Sequence, residues 1–117
     1  MRICISVKNI EESSEFYCRY MRFRIIARGS YDEQAVKALY KIDNSSAQYC
    51  ILKNSEQDSV LQLIQFSANS GKYIRDMAKP WDHGYLDIAV QSSDNMKACL
   101  DFSEMGYKFL SAPVHYC

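Results

Sequence analysis

At 117 residues the chain has the length of one domain, enough to bury a core but with little to spare. Lysine plus arginine and aspartate plus glutamate number 14 each, so the formal net charge is zero and no long run of like charge stands out. That balance excludes the electrostatic footprint of a nucleic-acid or anionic-membrane protein, and no apolar stretch approaches the roughly 20 residues of a membrane span.

The first element alternates strictly. Ile3, Ile5 and Val7 fall on one side of a strand, and Arg2, Cys4 and Ser6 on the other. Asn9 caps a helix, and Glu12 completes a capping box three residues on. Ile10, Ser14, Tyr17 and Met21 form its stripe, flanked by Phe16 and Tyr20. The stripe and the Ile3/Ile5/Val7 side bury one another, which leaves Arg2, Cys4 and Ser6 facing away from the helix. Phe23 to Arg28 reads as the second strand, with Gly29-Ser30 as a break. Residues 32–42 have helix-forming composition, with Ala35, Leu39 and Ile42 on one side. After the turn cluster Asp43-Asn44-Ser45-Ser46, Ala47 to Lys53 and Ser59 to Phe66 read as a hairpin. Leu61 and Leu63 alternate there with Val60, Gln62 and Ile64.

From Ser67 to Gly84 the periodicity fades into a link, with a helical turn expected near Tyr73 to Met77. The opening grammar then returns in Tyr85 to Tyr107: Val90 matches Val7, Ser92 matches Asn9, and Met105-Gly106-Tyr107 matches Met21-Arg22-Phe23. Strand YLDIAV sets Leu86, Ile88 and Val90 against Tyr85, Asp87 and Ala89. Ser92 is the expected cap of a helix with apolar positions Met96, Cys99, Leu100 and Ser103. Gly106 ends it where a left-handed residue is needed, and Lys108 to Ala112 reads as a further strand. A repeat at this offset is a duplicated supersecondary unit. Five cysteines, an odd number without C-x-x-C spacing, fit neither a disulfide scaffold nor a structural zinc site. They are expected in a reducing cytosol, and the strand starting almost at Met1 leaves no room for a leader. Nine tyrosines suit a wet, aromatic-lined cavity as well as a core.

The residues VKNIEESSEFY followed by MRF, the LQL of the last strand, and AVKALYKIDNSSAQYCILKN in this order resemble the vicinal-oxygen-chelate superfamily. It comprises glyoxalase I, the bleomycin-resistance proteins and the extradiol dioxygenases. The resemblance implies an α+β fold of paired βαβββ modules: a first module at 1–66, a linker at 67–84, and the start of a second module at 85–117. That second module is two strands short, so the expected complement is the rest of a longer chain or a homodimer partner. Family members curl two modules into a cup whose floor holds a divalent metal. The ligands are a His or Glu opening each module's first strand and a Glu in each module's last strand. Carried onto this chain those places are Arg2, Gln62 and Tyr85, with the fourth beyond Cys117. Arginine, always protonated, binds no cation, and tyrosine is a poor ligand at neutral pH.

The candidate ligand-binding residues are therefore Arg2, Cys4, Ser6, Gln62, Tyr85 and Asp87, with no metal ligand, no cofactor and no catalytic residue assigned. Arg2 and Asp87 either form an ion pair in place of the metal, or Arg2 offers its planar fork to a ligand carboxylate. Cys4 reads as packing rather than nucleophile. His83, beside Gly84, reads as a loop residue, and His115 with Cys117 supplies two donors where a site needs more. The function expected is small-molecule binding in a β-sheet cup without the standard metal set. The alternative is a divalent-metal-dependent lyase, isomerase or dioxygenase, complete only in a longer chain or a dimer.

Overall fold

The computed structural model describes residues 2–54, 60–68, 77, 79, 81–82, 92–109 and 111–112. Strand β1 (Arg2–Ser6) alternates as its sequence dictates: Ile3 and Ile5 are half-buried, while Arg2, Cys4 and Ser6 are exposed. Helix α1 (Ile10–Tyr20) starts where the Asn9 side chain accepts from the N–H groups of Glu11 and Glu12, both at 3.1 Å. Its first amide, Ile10 N–H, donates to Gln65 Oε1 at 2.8 Å, which ties the helix to the sheet. Strand β2 (Phe23–Tyr31) follows, then helix α2 (Glu33–Tyr40), capped by Asp32, and the hairpin strands β3 (Ala47–Asn54) and β4 (Val60–Phe66). Helix α3 (Asn95–Glu104) is the last element among the described residues.

The four strands form one sheet in the order β1-β4-β3-β2. β1 runs parallel to β4, and the other two pairings are antiparallel. The hydrophobic pattern splits cleanly between the two faces. On the near face Leu52, Leu61, Leu63 and Cys50 meet Ile10 of α1, with Ile3, Ile5, Val7, Tyr17 and Phe23 closing around them. Each fully buried leucine contributes about 1.5–3 kcal/mol relative to an exposed one. On the far face Ile64 and Ala47 meet Val36 of α2, joined by Tyr31, Tyr40, Ile42 and Phe66. Leu63 and Ile64 thus serve two separate cores from consecutive positions of one strand.

Several expectations are corrected. β2 does not stop at Arg28 but runs through Gly29 and Ser30 to Tyr31, because the ladder to β3 continues with Gly29 opposite Tyr49. The buried face of α2 is Val36 with Tyr40, one helical turn apart. Leu39 is 60 % exposed, since this two-turn helix offers the sheet a single narrow stripe. The cap of α3 is Asp94, whose carboxylate accepts from Lys97 N–H at 2.9 Å. Ser92 instead accepts from Asp94 N–H at 3.2 Å and shapes the approach. The inward residue of α3 is Phe102, which meets Phe16 and Tyr20 of α1, while Met96 and Leu100 are exposed. Gly106 does take a positive φ of 83° just past this helix. Lys108, Phe109, Ser111 and Ala112 adopt no strand. The expected helical turn near 73–77 and the strand at 85–90 lie outside the described residues, apart from Met77, which sits in a turn.

Candidate functional site

The far face of the sheet carries the site, and register decides its layout. Cys4 stands opposite Gln62 across the parallel β1–β4 ladder, Ser6 stands opposite Ile64, and Ile51 of β3 flanks Gln62 on its other side. Arg2, two positions from Cys4 and so on the same face, reaches diagonally across the ladder. Its Nη2 donates to Gln62 Oε1. Four of the expected residues, Arg2, Cys4, Ser6 and Gln62, are therefore brought together at one corner of the sheet. Tyr85 and Asp87 lie outside the described residues, as do His83, His115 and Cys117.

Gln62 is 4 % exposed, and its Nε2 is sealed from solvent, with no hydrogen-bond partner among the described residues. The orientation of the amide follows from Arg2: a guanidinium only donates, so Oε1 must face it and Nε2 must face away. Reversing the amide would set donor against donor. Arg2 and Gln62 occupy the first-strand and last-strand positions at which the family resemblance places metal ligands. They do not fit a divalent cation, because Arg2 brings a fixed positive charge there and already holds the one oxygen that Gln62 could offer.

Sequence reasoning missed Tyr40. Helix α2 crosses the far face and sets this ring edge-on to Phe66 at 5.4 Å, close enough to Cys4 and Arg2 for all three to interact. Burial pushes the Tyr40 phenol above its ordinary range, helped by the neighbouring Cys4 and Tyr31 and opposed by Arg2. Tyr31 and Tyr49 stack at 4.7 Å and extend the aromatic wall away from the polar corner. The signal lay in the Val36–Tyr40 spacing, but which face of the sheet α2 would cover is a non-local matter.

Two cavities open on the helical side of the molecule. One of about 600 Å³ lies between the end of α1 and α3, bridged by Arg22 Nη1 donating to Ser93 Oγ at 3.0 Å. Its charged lining residues Arg19, Asp94 and Lys97 are exposed and carry both signs of charge, so they form a furrow between helix ends rather than convergent chemistry. A second, of about 310 Å³, lies at the start of α1 beside the Arg28–Glu11 ion pair, 2.5 Å long. Near it, Cys50 faces the core. Burial pushes its thiol up, against a smaller opposing pull from Arg28, which disfavours a thiolate nucleophile. The polar corner holds the buried, oriented groups, and for that reason it is the stronger candidate.

Among the described residues, no helix is long and apolar enough to cross a membrane. No curated protein matches the chain. Among solved structures, a glyoxalase family protein from Bacillus cereus is similar at a TM-score of 0.86 and 13 % identity, over 98 % of this chain and 76 % of that one. At that identity the likeness speaks for the fold, a mixed α+β structure. The family model of the Glyoxalase/Bleomycin resistance protein/Dioxygenase superfamily matches residues 2–117, nearly the whole sequence. The chain belongs to that superfamily.

Proposed function

We propose that this protein binds a small organic molecule at the polar corner of its sheet, without the divalent metal that serves other members of the superfamily. One observation carries the reading: Arg2 and Gln62, at two of the family's ligand positions, are joined to each other by a hydrogen bond. A pair that donates and carries positive charge suits a ligand rather than a cation. The aromatic wall of Tyr31, Tyr40 and Tyr49 beside it supplies the apolar surface that small-molecule sites use for affinity. Unpaired cysteines at positions 4, 18, 50 and 99 agree with a reducing compartment. Completion of the cup by a second copy, or by further chain, is part of the same reading.

Two measurements test it. Metal analysis of the purified protein after exposure to zinc, nickel, manganese and iron salts is expected to find each well below one equivalent. Stoichiometric retention of any of them would return the metal-dependent lyase, isomerase or dioxygenase reading to first place. A mixture of neutral and acidic aromatic fragments, followed by amide NMR, is expected to move the signals of 2–6 and 60–64. If no fragment moves them at millimolar concentration, the binding role fails.

A further inference from the structure

Gln62 poses a problem that the Arg2 contact does not solve. A buried amide donor without a partner costs about 1–3 kcal/mol, and such groups are rare enough in folded proteins to demand a reason. Among the described residues Nε2 has no acceptor, and it is sealed from solvent. The amide cannot turn round to relieve it, since Oε1 is held by a group that can only donate. Arg2 itself is exposed, with donors to spare beyond the one given to Gln62. The corner thus holds a fixed positive charge and an oriented, waiting N–H, and its described neighbours Cys4 and Ser6 bring no carboxylate.

Resting on the binding role proposed above, we infer that the ligand of this site carries a carboxylate, held by the guanidinium of Arg2 and by Nε2 of Gln62. A carboxylate is an acceptor-only group with room for several donors, so it satisfies the orphaned N–H and the guanidinium together. A neutral amide or alcohol offers Nε2 an acceptor but leaves the charge of Arg2 unmatched. Arg2, the exposed member of the pair, marks the approach, and since Nε2 is sealed from solvent the side chains over it must part before the carboxylate reaches it. The ligand's apolar part then lies along Ile51, next to Gln62 in the register, and toward Tyr40.

Benzoate and benzamide share a shape and differ in charge, which makes them the probes. In NMR titrations at neutral pH, benzoate is expected to shift the Gln62 side-chain amide and to bind about tenfold or more tightly than benzamide. Arg2→Gln removes the charge at an exposed position. Gln62→Glu keeps a partner for Arg2 but replaces the waiting donor with an oxygen. Each is expected to weaken benzoate about tenfold or more while its circular dichroism stays that of the parent protein. If Gln62→Glu does not fold, Arg2→Gln alone carries the comparison. Equal binding of benzoate and benzamide, or benzoate binding that survives Arg2→Gln, overturns the carboxylate assignment and leaves the binding role standing. Failure of these probes together with every fragment of the mixture overturns both.

Discussion

A methyl group added at Gly29 would stand 2.5 Å from Oη of Tyr49 and 2.6 Å from its Cζ. The ring lies across the glycine from the neighbouring strand, and β2 continues beneath it instead of breaking. Gly29→Ala must push that ring out of its stack with Tyr31, so a loss of about 1–3 kcal/mol in urea unfolding is expected. The double variant Gly29→Ala/Tyr49→Ala should cost less than the sum of its parts, because removing the ring removes the collision. Additive costs would show that the ring does not lie there. Read locally, a glycine followed by serine is a breaker. Only the antiparallel register, with Tyr49 opposite, turns it into a strand residue.

Helix α2 illustrates what short elements hide. Its composition and its Asp32 cap were legible, since both depend on residues within one turn, and Asp32 Oδ1 does accept from Ala35 N–H at 2.8 Å. Its buried stripe was not. Two turns of helix leave too few positions for a periodicity to show, and Leu39, the most hydrophobic choice, turned out exposed. Val36, fully buried against Ile64 and Ala47, holds the helix to the sheet. Val36→Ala is therefore expected to lower stability by about 1–3 kcal/mol, whereas Leu39→Ala should stay within about 0.5 kcal/mol. Thermal unfolding of the two variants side by side checks the assignment, and a larger loss at Leu39 would reverse it. By contrast, the longer α1 showed its stripe in sequence: Ile10 and Ser14 are buried and Tyr17 joins the core.

Across the whole molecule, the first module meets α3 through rings rather than aliphatic packing. Phe16 lies 6.1 Å from Phe102 and 5.7 Å from Tyr107, and Tyr20 lies 5.8 Å from Phe102. Aromatic pairs at such separations are worth about 0.5–1.5 kcal/mol beyond the area they bury. A double-mutant cycle of Phe16→Ala and Phe102→Ala is expected to return a coupling of about that size in unfolding free energy. A coupling near zero would mean that α3 does not rest on α1 in solution. This contact joins α1 to α3, while the candidate site lies on the opposite face of the sheet.

The sequence by itself determined the alternation of β1, the cap of α1 and the α+β fold of the superfamily, because each depends on residues a few positions apart or on one pattern recurring. It also put Arg2, Cys4, Ser6 and Gln62 on the face away from α1, a consequence of period two alone. Tertiary structure decided what those residues do to one another. Arg2 and Gln62 are 60 positions apart, and their hydrogen bond exists only because β1 and β4 lie parallel in a register that sets Cys4 beside Gln62. The orphaned Nε2, the Tyr40 ring near Cys4 and the Tyr49 ring over Gly29 follow in the same way from how the strands and α2 come together. Non-local register has no signature in a window of residues, yet it is register that turned a polar strand face into an oriented pair of donors.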